Sequence, residues 1–518
     1  MNPKPTPHLV LLEPSDVLFF RDGRPMTGGL AGHGAAWPLP NVINAAFHGA
    51  LHRTDWSDLH AHNHYGRNGV VAKADARKFG SLLTAGPFPV RLVGASNPPG
   101  ALLQQWFFPR PADVFLGDNG TCLEIALKPA KPVEQWVPAH HSSLPAPLSL
   151  AVASCLPPSK EPRGFQWLEQ SAYGDYLAGR LQNPLRQDAH LDDGKVFEAE
   201  FTVGIGIDPT TQAQDGKRIY SAHYLRLRPE WRLGVVAACR DSGPNASSQP
   251  RDLLAALLPD DRGNVLNPAG QPTRASDPLA TIIVGGQQRL CRATREPAAD
   301  LPLPRGRADG FQTRGAGQDK RSFVKWVLLT PAIWPEMQAG DSRRGRREEG
   351  EGNAAKLRSV VAHHGGWFPN WVDPVTGRVL LRVVTDSERR RRRQLNYAGK
   401  GYASEPGTEE IHATLVAALV PKAIPVTGWG FQVPGVDDSD SGAKTTHLAV
   451  PAGAVYYFET HGPDAEAEAV KLAAALNWHG TVTNTTSDFT CLKNRRSTLF
   501  GEKGFGLGVC GTWAPSQI

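Results

Sequence analysis

Long apolar runs are missing from this 518-residue chain: no stretch approaches the roughly 18 uninterrupted residues that a membrane span needs. The opening M-N-P-K-P-T-P-H has no hydrophobic region of a secretory signal, so a cytoplasmic protein without a membrane partner is expected. Cysteine is sparse. The six residues (Cys122, Cys155, Cys239, Cys291, Cys491 and Cys510) lie far apart with no C-x-x-C pair. Zinc-ligand spacing is therefore absent, a disulfide framework is not expected, and buried free thiols are. The H-E-x-x-H pattern of metal hydrolases is absent too.

Glycine and proline are plentiful, at 53 and 44 residues, which points to β-rich or α+β construction with long connections. The chain is too long for one core, so two domains with large insertions, or three domains, are expected. Its net charge of +6 is unevenly spread: residues 301–400 hold 20 Lys/Arg against 10 Asp/Glu, the remainder 36 against 40. Such asymmetry suits a polyanion binder, although the five-arginine run Arg389–Arg393 is equally a solvated stretch.

Glycine is densest between Phe500 and Trp513, where Gly501, Gly504, Gly506, Gly508 and Gly511 surround Lys503, with Arg495 and Arg496 just upstream. Such spacing lets a backbone approach another backbone or a phosphate closely. A packed turn and a loop laid along a polyanion both satisfy it. A P-loop is not expected, because its helix would have to fit between Trp513 and Ile518. The stretch reads as a loop followed by a strand over Leu507–Trp513.

Along the chain, His8–Glu13 and, past Pro14, Val17–Phe20 form a central strand that bends at the proline. Arg21–Pro25 is a turn displaying two arginines, and Asn41 caps a helix running to Arg53. Strands are expected at Phe88–Val93 and Cys122–Leu127, and a helix at Gln166–Leu181. Val203–Asp208, Tyr220–Arg228 and Arg232–Cys239 read as an antiparallel meander, with another strand from Thr281. Residues 294–320 read as a linker, and 338–354 as a charged low-complexity loop.

A second pattern then begins with a strand at Phe323–Thr330 and another at Val379–Val384. A helix striped by Ile411, Leu415 and Leu419 follows, then strands from Ala423 and from Leu448. The helix Pro463–Leu476 has proline in its first turn and Val470, Leu472 and Leu476 inward. Strand, helix, strands, helix, strand is the order of a ferredoxin-like α+β unit, and the first half carries a looser version. The expected domains are 1–300 and 321–518, joined by 301–320. His60, His62 and His64, with His48 and His52, are the candidate metal ligands, but no carboxylate pattern accompanies them. No metal or cofactor is expected.

The segment L-L-E-P-S-D-V-L-F-F-R-D-G-R-P (Leu11–Pro25) resembles the opening signature of the third subunit of Cmr, the type III-B CRISPR RNA-guided effector complex. That subunit belongs to the repeat-associated RAMP proteins. Further segments agree in order: V-G-I-G-I-D with I-Y-S-A-H-Y-L-R-L, then I-V-G-G-Q-Q, G-W-G-F at Gly428, V-P-A-G-A-V-Y-Y-F at Val450 and G-E-K-G-F-G-L-G at Gly501. Together they span about a third of the chain. The sequence departs from the family in its length, with unmatched stretches near 54–160 and 338–360, and in Met26, where an aromatic is usual.

The resemblance implies two ferredoxin-like (RRM-like) RAMP domains with long insertions, packed face to face. It implies a non-catalytic subunit holding the repeat-derived 5′ handle of the crRNA. It also implies docking against the large polymerase/cyclase-like subunit and a backbone RAMP subunit. The implied RNA-binding residues are Phe20, Arg21, Asp22, Arg24 and Pro25, then Gly428, Trp429 and Gly430, and Lys503, Gly504, Phe505, Gly506 and Gly508. Arg21, Arg24, Lys503 and the glycine loop suit phosphates, while Phe20, Trp429 and Phe505 suit stacked bases. Phe20 also reads as core, and Asp22 as the partner of an arginine or a turn cap. The rival enzyme reading is a RAMP endoribonuclease that cuts the repeat with a histidine acid/base, drawn from His48, His52 and the His60–His64 cluster.

Overall fold

The computed structural model describes residues 6–21, 23, 31–32, 35–54, 82–94, 102–116, 122–127, 148, 151–153, 165–207, 210–240, 251–267, 269–275, 280–298, 300–334, 366–384, 408–430, 442–443, 446–480 and 492–515. Asp22, Arg24, Pro25, His60, His62, His64, the 338–354 loop and Arg389–Arg393 lie outside them.

The first half opens with β1 (His8–Pro14), whose Val10, Leu11 and Leu12 are all buried, as a strand covered on both faces requires. Helix α1 (Pro40–His52) follows. Leu39, not Asn41, is its N-cap, with no side-chain cap bond. Pro40 opens the helix instead, its fixed φ suiting a position where no N–H is needed. The sheet continues with β2 (Leu83–Gly94), β3 (Leu102–Pro109) and β4 (Trp167–Glu169). Helix α2 (Gln170–Leu177) is shorter than the expected 166–181, because Trp167–Glu169 pair with β3. The Glu169 carboxylate then accepts the Ser171 and Ala172 N–H groups and starts the helix.

Strands β5 (Phe197–Ile207) and β6 (Gln214–Leu227) form a long antiparallel hairpin. The meander expected beyond it does not form: β7 (Trp231–Ala238) leaves the hairpin and inserts between β1 and β2. Its residues are nearly all covered, so it belongs in a sheet interior rather than on a ribbon. Helix α3 (Leu253–Leu257) is capped by the Asp252 carboxylate, and β8 (Thr281–Ile283) and β9 (Leu290–Pro297) complete the half. The sheet order is β8-β9-β1-β7-β2-β3-β4, ending at His190–Leu191.

The second half holds β10 (Arg321–Leu328), β11 (Ala413–Leu419), β12 (Ile424–Val426), β13 (His447–Ala449) and β14 (Val455–His461). Helix α4 (Ala465–Leu476) and β15 (Gly508–Thr512) follow. The helix expected around Ile411, Leu415 and Leu419 is the strand β11. A spacing of four fits both periods; the alternating burial of Ala413, Leu415 and Ala417, paired with β14, settles it as strand. In α4, Pro463 precedes the helix and Val470 is buried to a lesser degree than the leucines that follow it. Leu472 and Leu476 face the sheet with Ala465, Ala469 and Ala473, and burying each leucine contributes about 1.5–3 kcal/mol.

The two sheets share a strand order. In β9-β1-β7-β2 and in β15-β10-β14-β11 the first strand lies between the fourth and third, with the second outside the third, all antiparallel. Helix α1 lies between the first two strands of the first set, and α4 before the last strand of the second. The fold is therefore mixed α/β with mostly antiparallel sheets and few helices. A common core of Trp106, Phe108, Tyr173 and Tyr176 with Phe323, Tyr457, Trp478 and Trp513 joins the halves.

Residues 294–320 carry the end of β9 and the buried Leu301, Leu303 and Ala308. The Trp478 indole N–H donates to the Pro304 carbonyl at 2.9 Å, so this proline-rich crossing is packed against the second half. Among the described residues, no helix is long and apolar enough to cross a membrane.

Candidate nucleic-acid interface

Beyond Pro14 the chain leaves the β1 ladder, and Leu18 exchanges two 2.8 Å hydrogen bonds with Leu225 of β6. Phe20, 3% exposed, packs in the core with Ile43 and Phe47 of α1. Of the two roles open to this ring, its burial supports the core one. The Phe19 carbonyl accepts the Gly286 N–H at 2.9 Å. A Cβ on Gly285 would stand 2.5 Å from that same oxygen, so the glycine pair before Gln287 exists for close approach to Phe19 and Phe20.

Arg21 emerges exposed from this anchor. Gly23 turns back inward and is buried against Pro425 of β12, where any side chain would collide with the proline carbonyl. Gly23, two residues after Arg21, is thereby seated on the strand that leads to Trp429. Gly428 is exposed, and the Trp429–Gly430 backbone pairs with Gly442–Ala443.

Val426 of β12 shares an apolar cluster with Ala449, Ile333 and Phe505, which brings the glycine-rich terminus to the same place. Gly504, at φ +92°, lies against Thr84 of β2, where a Cβ would be 2.6 Å from the Thr84 oxygen. The Gly506 N–H donates to Pro331 and its carbonyl accepts from Arg496, both at 2.7 Å. Gly508 rests on the Trp326 indole, and Gly511 on Leu177 of α2. Packing between backbones and side chains thus accounts for these glycines. Phe505 is fully buried with its ring edge-on to Phe500 at 5.7 Å, so it presents no face to a base in this arrangement. Lys503 is half-buried, its Nζ 4.4 Å over the Phe500 ring.

Among the described residues near Phe19, carboxylates meet arginines. Asp16 stands 2.9 Å from Arg226 and 3.8 Å from Arg289, and the Arg226 hydrogen bond holds its carboxyl below the usual carboxylate range. Arg226 also bonds Glu200 across the hairpin. Arg495, beside the glycine loop, is pulled below the ordinary arginine range by burial, opposed by the charge of Glu502. His48 and His52 lie one turn apart on α1. Among the described residues no group of three or more His, Cys, Asp or Glu is placed to hold a metal.

Tyr224, Gln287 and Arg289, which gather beside Phe19, are not among the site residues that the sequence implied. A pair of glutamines after a glycine pair was the available signal.

A family profile described as CRISPR-associated protein (Cas_Cmr3) matches residues 10–513. Among solved structures, the chain is similar to a chain of the Type III-B Cmr-beta bound to cognate target RNA, at 11% identity over 87% of this chain and 86% of that one, with a TM-score of 0.33. A second, from the same assembly bound to cognate target RNA and AMPPnP, is 12% identical over the same shares, with a TM-score of 0.30. No curated protein matches the sequence.

Proposed function

The chain belongs to the Cmr3 family of CRISPR-associated proteins, and on that premise we propose that it is a non-catalytic RNA-binding subunit of a type III-B Cmr effector. It holds the repeat-derived 5′ handle of the crRNA and docks against the large polymerase/cyclase-like subunit and a backbone RAMP subunit. Its halves, 1–300 and 321–518, are two ferredoxin-like RAMP domains. The repeated strand order supports that architecture.

The observation that carries the reading is the convergence of three motifs distant in sequence. Gly23 sits on Pro425, Val426 shares an apolar cluster with Phe505, and Gly504 sits on Thr84. Arg21 and Gly428, two residues from Gly23 and Val426 in sequence, are exposed, and Lys503, next to Gly504, is half-buried. A cation and open backbone held by a rigid scaffold suit phosphate contacts that fix an RNA in one shape.

The test is co-expression of the chain with its neighbouring subunits and a repeat–spacer transcript, followed by purification, photocrosslinking and RNA sequencing. RNAs sharing one repeat-derived 5′ end, crosslinked to this subunit, are expected. Random RNA, or none, would overturn the reading.

A further inference from the structure

We propose that the turn joining β8 to β9, together with Tyr224, is a nucleobase-reading subsite for a single-stranded RNA, resting on the RNA-binding function above. The turn is built against its own backbone preference. Gln287 and Gln288 both have positive φ, at 55° and 53°, in a turn closed by the Val284 N–H donating to the Arg289 carbonyl at 2.9 Å. Successive positive φ values favour Asn-Gly or glycines. Two consecutive glutamines there carry backbone strain, and within the turn the Arg289 guanidinium donates to Gln287 Oε1 at 3.4 Å. Such strain marks places where the side chains themselves are needed.

Both glutamines are exposed. The Tyr224 hydroxyl donates to Gln287 Oε1 at 2.8 Å, which fixes that amide and leaves its NH2 group to donate outward. Gln288 follows it on the same exposed turn and adds a second amide, with its own donor and acceptor. The Arg289 guanidinium lies 4.9 Å over the Tyr224 ring, and the Phe19 ring is tilted beside it at 5.6 Å. A planar base laid on the Tyr224–Arg289 pair places its edge toward the glutamine amides.

Charge argues for a base over a phosphate. Arg289 and Arg226 both face Asp16, and Arg226 also bonds Glu200, so the cations here are already matched by carboxylates. The place is tied to the arginine turn, since Gly285 and Gly286 are anchored on Phe19 and Phe20, immediately before Arg21. The Gln288 amide pairs its donor and acceptor with the N6/N7 edge of adenine, while Gln287, whose oxygen already accepts from Tyr224 and Arg289, adds only a donor, so adenine is the preferred occupant.

The test uses the assembly purified with RNA from a library randomised over the repeat-derived handle. Gln287→Ala/Gln288→Ala is expected to lose affinity for the adenine-bearing handle while still binding handles with another base at the position read. Its preference for adenine at one position should fall by roughly 5- to 100-fold, the discrimination of one bidentate pair. Gln287→Asn/Gln288→Gly, which suits the turn better, should melt no lower than wild type and lose the same preference, separating recognition from folding. Unchanged preference in both variants overturns the subsite. Loss of a protein subunit with RNA and preference intact also overturns it, in favour of a protein contact. Wild-type assembly carrying no RNA would instead sink the RNA-binding function itself.

Discussion

Asp113, in the turn after β3, and Lys325, in the middle of β10, face one another at 3.7 Å with side-chain exposures of only 2% and 1%. The pair spans the two halves of the chain. The hydroxyls of Tyr176 and Tyr457 donate to the two Asp113 oxygens at 2.7 and 2.8 Å, and the Lys325 ammonium lies 3.5 Å from the centre of the Tyr176 ring. Each charge is thereby solvated by protein groups in place of water. Nearby, the Ala112 N–H donates to Gly453 at 2.8 Å, a second polar tie between the halves.

Removing either partner leaves an uncompensated buried charge, which costs about 3–5 kcal/mol. Asp113→Asn and Lys325→Met are each expected to lower stability by that order. The double variant should be destabilised by well under the sum of the two, because it buries no lone charge. Urea denaturation of wild type, both single variants and the double variant checks it, and simple additivity would show that the two groups are not coupled.

The glycine-rich terminus gives the second prediction. A Cβ on Gly508 would enter the Trp326 indole, and one on Gly504 would press on the Thr84 carbonyl at a φ of +92°. Gly508→Ala and Gly504→Ala should each destabilise the protein by roughly 1–3 kcal/mol, from overpacking in one case and backbone strain in the other. Melting of the RNA-free protein measures this. An unaltered melting temperature with weakened RNA binding would reassign these glycines to the ligand.

Phosphate binding at the arginine turn predicts a salt effect. Arg21→Ala should weaken handle binding and make the log–log salt dependence shallower by roughly 0.7 for each single-strand phosphate that Arg21 neutralises. The exposure of Arg21 makes a folding defect unexpected. Binding isotherms across a salt series decide it, and an unchanged slope would remove Arg21 from the RNA interface.

Much of the architecture was legible in local pattern. The opening strand, α1 and the terminal strand announce themselves by apolar runs, proline and glycine placement. What was not legible depends on partners far away in sequence. Ile411, Leu415 and Leu419 suit either period until β14 lies alongside, and β7 resembles its hairpin neighbours until β1 and β2 enclose it. The glycine loop was readable as a place of close approach, but not what approaches it: Thr84, Pro331, Trp326 and Leu177 come from both halves. Lys325 within F-V-K-W-V-L-L was a visible irregularity, yet nothing local names Asp113 as its partner.

His479 supplies a pH prediction. It is fully buried beside Trp478, and burial lowers its pKa from 6.5 to about 4. The folded protein therefore keeps the imidazole neutral where the unfolded chain protonates it. Above pH 6.5 both states are neutral and the full stability is present. As pH falls from 6.5 towards 4, the unfolded state binds a proton that the folded state refuses, and stability drops by up to about 3 kcal/mol at 1.36 kcal/mol per pKa unit. Below about 4 both states are protonated and this contribution levels off. His479→Gln, which has no proton to bind in that window, should flatten the stability profile between pH 4 and 6.5 relative to wild type. Denaturation midpoints across that range test it: parallel profiles for the two proteins would show that the acid sensitivity lies elsewhere.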